Sequence, residues 1–227
     1  VEGSSVQSFT KMFLQIWHSH DKKTFEIESD CKKFLNVRTQ KITAEGAVLP
    51  YADDGYNSQD LAENIYHYIL GKSQKYVHIM SPYLVLDDSI FNALIFAAGR
   101  GVDVKVVFPG HYDHFITYCI GLRFAKTLIQ HGVHVYLYKP GFIHSKIFAA
   151  DDLMATVGSV NLDYRSFYYH FECGAFLFKT DSVRDIEKDF QATVLQCEEL
   201  TLENYKRQVS RTRRLLGWLC KILSPLV

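Results

Sequence analysis

GFIHSKIFAADDLMATVGS, running from Gly141 to Ser159, decides the fold. Its arms GFIHSKIFAAD and LMATVGS are separated only by a tight Asp151-Asp152 turn, too short to hold a crossover helix, so the two must form an antiparallel hairpin. Residues i and i+2 of a strand share a face, which sends His144 and Lys146 one way and Ile143, Ser145 and Ile147 the other. Asp151 closes the first strand at the turn. Gly158, Ser159, Val160 and Asn161 close the second. Taken singly, each polar residue here has an ordinary reading: a core histidine, a lysine with a buried stem, residues of a turn. Taken together, an ionisable pair on one face of an otherwise apolar hairpin calls for another explanation.

Upstream of the hairpin, strands and helices alternate. AVLPY reads as a strand and SQDLAENIYHYILG as a helix capped by Ser58 and stopped by Gly71. KYVHIMS reads as a strand, DDSIFNALIFAAGRG as a glycine-terminated helix and VDVKVVFPG as a strand; residues 115–130 read as a helix and VHVYLYK as a strand. This alternation predicts βαβ crossovers and parallel pairing covered on both faces. Downstream, HFECGAFLFK supplies one more strand, and two helices, roughly residues 180–197 and 202–223, close the chain. The hairpin adds antiparallel pairing to the parallel units. The expected fold is therefore α/β: a mixed sheet flanked by helices on both faces, an α-β-α sandwich. Before it, Phe9, Met12, Phe13, Ile16 and Trp17 recur at helical spacing, and a polar connector follows from His18.

At 227 residues and 48% hydrophobic, the chain is large enough for one sizeable domain. Its 25 basic and 25 acidic residues cancel, which argues against a general nucleic-acid binder. The balance fails only at the end: no acid follows Glu203, while Lys206, Arg207, Arg211, Arg213, Arg214 and Lys221 do. Cys31, Cys119, Cys173, Cys197 and Cys220 stand singly, a poor zinc or disulfide framework, and read as buried free thiols. No apolar run approaches the roughly 20 residues of a membrane span. The opening VEGSSV has neither an initiator methionine nor a signal-peptide layout, and reads as the interior of a longer protein.

The hairpin residues form the pattern His-x-Lys-x4-Asp-x6-Gly-Ser-x-Asn, from His144 to Asn161. This spacing resembles the HKD motif of the phospholipase D superfamily at every defining position. The longer stretch GFIHSKIFAADDLMATVGSVNLDYRSFYYHFE is similar to the second motif of bacterial cardiolipin synthases, as are SPYLVLDDSIFNALIFAAGRGVDVKVVFP and LLGWLCKILSPLV. The resemblance runs from about Ala47 to Val227. VEGSSVQSFTKMFLQIW resembles the helix that follows the first motif in those synthases. It divides the chain into residues 1–45, a remnant helix and connector from a preceding half, and residues 46–227, a second phospholipase D-like domain ending in a basic amphipathic helix.

The resemblance implies a chemistry that suits these residue types. A phosphodiester's anionic oxygens repel charged nucleophiles, whereas a neutral imidazole attacks without negative charge. In the family one histidine forms a phosphohistidine and a second motif's histidine protonates the leaving alkoxide. Lysine and asparagine hold the non-bridging oxygens. Carried over, His144 is a catalytic imidazole, as nucleophile or as acid/base. Lys146 and Asn161 clamp phosphate with Ser159 beside them, and Gly158 admits the phosphate to the backbone. Glu172 takes the place of the acid that orients an imidazole, and Asp151 joins the set or serves as a turn residue. No cofactor or metal is implied. The implied reaction is that of a cardiolipin synthase: two phosphatidylglycerols give cardiolipin and glycerol. The implied partners are phosphatidylglycerol, an anionic membrane surface, and an upstream half or a second copy supplying the other motif. The implied location is the cytoplasmic face of a bacterial membrane, with anchoring by upstream segments.

Other residues read less sharply. Tyr83 lines a lipid pocket or packs beneath a loop, and Arg165 reaches a second phosphate or forms a salt bridge. His111 and His114 lack a metal partner of standard spacing. Asp113 matches a family position without a role, and Cys173 reads as a small core residue. Leu215, Leu216, Leu219, Ile222 and Leu223 form a stripe which, flanked by Trp218 and arginines, suits an anionic bilayer surface. Two rival functions remain, a homodimeric nuclease-type phosphodiesterase and a non-catalytic membrane-binding module. Neutral charge weighs against the first, and the complete His144, Lys146 and Asn161 set against the second.

Overall fold

The computed structural model describes residues 1–18, 29, 32–35, 45–54 and 60–226. Ser58, Cys31 and most of the polar connector lie outside them. Helices α1 (Ser5–Trp17) and α2 (Lys32–Leu35) precede β1 (Ala47–Asp53), α3 (Leu61–Lys72), β2 (Tyr76–Met80), β3 (Leu84–Val85), α4 (Asp88–Gly99), β4 (Asp103–Pro109), α5 (Phe115–Gln130) and β5 (His134–Tyr138). The hairpin is β6 (Ile147–Ala150) and β7 (Met154–Gly158). β8 (Leu162–Asp163), α6 (Tyr164–Tyr168), β9 (Glu172–Phe178), α7 (Asp181–Val194), β10 (Cys197–Leu200), α8 (Leu202–Gln208), α9 (Arg211–Cys220) and a 3₁₀ helix (Lys221–Leu226) follow.

Eight strands form one mixed sheet in the order β1-β9-β7-β6-β2-β4-β5-β10. β2, β4 and β5 pair in parallel, as the crossovers require, and every other junction is antiparallel. The β6–β7 turn is as tight as its sequence suggests: Asp151 and Asp152 both take positive φ, 56° and 57°, a region that Asp tolerates better than most residues.

Alternation sorts the sheet into two faces. Val77, Ile79, Phe148 and Ala150 join the large core that includes Ile69, Leu94 and Phe124 from α3, α4 and α5. Ala149, Ala155, Met80 and Ile147 face the other way and meet Val183 and Phe190 of α7. α1 lies near β1, with Ser5 Oγ donating to the Val48 carbonyl at 3.3 Å and Leu14 buried.

Three local expectations are corrected. His144 and Lys146 precede the strand, which begins only at Ile147: its neighbour β2 stops at Met80 and is soon followed by Pro82, which has no N–H to extend a ladder. The closing helix is broken at Val209, whose backbone is extended, and Ser210 starts α9 afresh by accepting from Arg213 N. An edge strand, β10, intervenes between the last helices and pairs with β5, and the two-residue β3–β8 ladder is likewise unforeseen. No helix among the described residues is long and apolar enough to cross a membrane.

Candidate active site

Strand directions gather the site at one end of the sheet. β2, β4 and β7 end there, while β6 and β9 begin there. The segments that cluster at this end are therefore residues 81–83, 110–114, 142–146, 159–163 and 170–172. Of the residues singled out in the sequence, His144, Lys146, Gly158, Ser159, Asn161, Glu172, Tyr83 and Arg165 come to this end. Asp151 does not.

His144 is exposed and Lys146 half-buried. Lys146 Nζ lies 2.9 Å from His144 Nδ1, 3.1 Å from its Nε2 and 2.8 Å from its carbonyl oxygen. An ammonium has only protons to offer, so this contact requires a lone pair on the imidazole and favours its neutral form. Partial burial first, and the Lys146 charge second, hold His144 below its ordinary pKa, with the Asp113 carboxylate opposing them. Burial lowers Lys146 as well, while Glu172 and Asp163 draw it back up.

Glu172 is buried, and its Oε2 accepts from Ser159 Oγ. Burial raises its pKa, against the Ser159 and Ser166 hydroxyls and His170, which favour the carboxylate. Ser159 also exchanges hydrogen bonds with the Cys173 backbone, its own N–H donating to the Cys173 carbonyl at 2.9 Å and its Oγ accepting from Cys173 N at 3.0 Å. Cys173 itself is exposed, not core. Asn161 spends one Nδ2 hydrogen on Ser166 Oγ at 3.0 Å, and its buried Oδ1 has no hydrogen-bond partner.

Two expectations about the motif change. A Cβ on Gly158 would stand 2.4 Å from the Cys173 carbonyl oxygen, so this glycine is required by the close approach of β9; no phosphate need be invoked for it. Asp151 sits at the opposite end of β6, where its carboxylate accepts from the backbone N–H groups of Gln74, Lys75 and Tyr76 at 2.7, 2.9 and 2.9 Å. It ties the hairpin turn to the start of β2, well away from the imidazole.

A cleft of about 350 Å³ opens beside the pair, lined by Tyr83, His114, Thr117, Asn161, Asp163, Arg165, His170 and Leu226. Phe142 bridges it to His144, its ring 6.4 Å from Tyr83 and 5.9 Å from the imidazole. Tyr83 donates to Asp113, which gives Asp113 a partner, and burial raises the tyrosine pKa. Arg165 donates through Nε to His170 Nε2 at 3.3 Å and forms no ion pair among the described residues. His170 Nδ1 is 3.8 Å from Glu172. Asp163 is buried and caps α6 through Ser166 N at 2.8 Å, and burial raises its pKa. His170 and Asp163 were missed in the sequence. The signals were there: Asp163-x-x-Ser166 is a helix-cap spacing, and His170 stands two residues before Glu172. His111 Nε2 donates to the Lys139 carbonyl at 3.1 Å. Among the described residues no three His, Cys, Asp or Glu side chains gather around a point where a metal could sit.

Comparison with known proteins gives the chain a family. The family model described as "Cardiolipin synthase, PLD-like domain" matches residues 66–194, more than half the chain. The chain belongs to that family. Along its whole length it is 40% identical to an uncharacterized protein of Streptococcus mutans, covering 48% of that protein. It is 32% identical to cardiolipin synthase 1 of Staphylococcus epidermidis, again over all of this chain and 46% of the relative. The chain thus spans about half the length of the curated relatives it matches. Among solved structures, phosphatidylserine synthase of Haemophilus influenzae superposes over 84% of this chain and 50% of that one, with a TM-score of 0.64 at 14% identity. That likeness speaks for the fold.

Proposed function

We propose that the chain is one catalytic half of a cardiolipin synthase, transferring a phosphatidyl group between two phosphatidylglycerols through a phosphohistidine. The observation that carries this is the contact of the exposed His144 imidazole, its pKa lowered, with the half-buried Lys146 ammonium, beside a cleft lined by Arg165. One imidazole attacks phosphorus: a nitrogen–phosphorus bond forms and the bond to the glycerol oxygen breaks. A second imidazole, from an upstream half or a second copy, protonates that oxygen and glycerol leaves. It then takes the proton from the terminal hydroxyl of the second phosphatidylglycerol, whose oxygen displaces the first imidazole. The phosphodiester count is conserved, so no nucleotide is consumed.

The depressed pKa of His144 suits the attacking role, because a protonated ring has no lone pair to give. The Lys146 ammonium and the Asn161 side-chain amide offset charge on the non-bridging oxygens as the transition state forms. Glu172, fixed by Ser159, orients an imidazole. Tyr83 and Arg165 line the cleft that takes a headgroup, the arginine meeting its phosphate.

The test is turnover on phosphatidylglycerol vesicles and, in parallel, on single-stranded and duplex DNA, using the chain alone and supplemented with a second His-x-Lys half. Cardiolipin and glycerol in equal amounts, lost in His144→Ala at unchanged unfolding midpoint, are expected. Cleavage of DNA in place of lipid, or undiminished turnover by His144→Ala, would reject the assignment.

A further inference from the structure

The last helices are amphipathic in an inverted sense. A Cβ on Gly217 would stand 2.2 Å from the Cys119 carbonyl oxygen, so α9 crosses α5 in close backbone contact with its glycine turned inward. What points outward is apolar: Leu215, Trp218 (64% exposed), Leu219, Ile222 (84%) and Leu226. Leu216 of the stripe expected from sequence is only partly exposed and does not belong to this ridge.

The charge along this closing segment is of one sign. Lys206, Arg207, Arg211, Arg213, Arg214 and Lys221 form no ion pairs among the described residues, and no acid follows Glu203. Arg213 lies over Tyr112 and Tyr118, and Lys221 over Phe124, at 5.0 to 5.7 Å from the ring centroids. Three of the arginines occupy the first turn of α9, the positive end of its dipole, where cations are disfavoured unless an anion faces them. Trp218 beside exposed leucines, with cations around them, is the composition of a helix that rests in a headgroup layer.

We propose that this ridge docks on the surface of an anionic phospholipid bilayer, with Trp218, Leu219 and Ile222 entering the acyl boundary and the exposed Lys206, Arg207, Arg211 and Lys221 meeting lipid phosphates. Leu226 belongs both to the ridge and to the cleft wall with Tyr83 and Arg165. Docking therefore sets the cleft mouth at headgroup level, where a lipid can enter without leaving its leaflet. That last step rests on the phosphatidyl-transfer reading; the docking itself does not.

The experiment uses the Trp17→Phe chain, in which Trp218 is the sole tryptophan. Adding vesicles of phosphatidylglycerol in phosphatidylcholine is expected to shift Trp218 emission to the blue and to let brominated acyl chains quench it. Pure phosphatidylcholine should do neither, and salt should reverse the effect. Leu219→Gln with Ile222→Gln should weaken vesicle binding on the order of 10- to 100-fold at an unchanged urea midpoint. Three results would overturn docking: emission already blue-shifted and unquenchable, meaning that protein covers the ridge; equal binding to neutral vesicles; or equal binding by the double variant. Binding is read without turnover, so its failure leaves the catalytic reading standing. Absence of turnover on dispersed short-chain phosphatidylglycerol by the chain supplemented with a second His-x-Lys half would reject that reading and leave docking intact.

Discussion

Replacing Asp151 separates structure from chemistry inside the motif. Its carboxylate holds three backbone N–H groups at the entrance to β2, and its φ is 56°. A hydrogen bond to a charged group contributes about 1.5–3 kcal/mol, but water can replace the carboxylate at the exposed Gln74 and Lys75, so the three together are worth about 2–3 kcal/mol. Asp151→Asn keeps an oxygen for Lys75 and Tyr76 and loses the charge and one bond, so it should cost about 1–2 kcal/mol. Asp151→Ala loses all three bonds and puts a Cβ in the left-handed region without local compensation, adding about 1 kcal/mol. Asp151→Gly removes the bonds without that strain and should fall between the two. In a domain of this size each kcal/mol moves the melting temperature by roughly 2–4 °C. Urea unfolding would rank the series Asn, Gly, Ala. The His144 imidazole, followed by NMR, should titrate as in the parent in all three. Full stability with lost turnover in Asp151→Asn, or a displaced His144 titration, would refute the structural assignment.

Other outcomes follow from the same geometry. The His144 pKa should lie below the ordinary imidazole value, so activity carried by its neutral ring is lost only as pH falls through that lowered pKa; Lys146→Gln should move the NMR titration upward by removing a neighbouring cation. Gly158→Ala should destabilise by about 1–3 kcal/mol in urea, because the β9 backbone must shift to admit the methyl group. For Glu172 the folded pKa is raised, so the parent loses stability as pH rises from the unfolded carboxylate value through the folded one. Glu172→Gln does not titrate and keeps an acceptor for Ser159. Its stability relative to the parent should therefore increase across that window while turnover falls, and a flat difference would contradict the burial argument.

Much of the fold could be read locally. The β2–α4–β4–α5–β5 run has clear periodicities bounded by glycine and proline, and the residue 115–130 helix has the limits its pattern predicts. The turn at Asp151-Asp152 was legible because two aspartates between apolar arms leave few other conformations. Less legible were elements whose existence depends on a partner. β10 is a strand because the edge of β5 is open to it, and its Cys-Glu-Glu-Leu sequence has no strand pattern of its own. The break at Val209 depends on where α9 must lie to cross α5 at Gly217.

The sequence by itself determined the residue types and spacings of the motif, and with them the family and the pairing of His144 with Lys146, because residues two positions apart are neighbours wherever the strand begins. Only the tertiary structure decided that Asp151 anchors a strand 70 to 80 residues earlier in the chain and that Arg165 and His170 share a cleft wall with Tyr83 and Leu226. It also decided that the closing helix turns its apolar face outward. These depend on strand direction and on which surfaces are already occupied, and neither is encoded at short range.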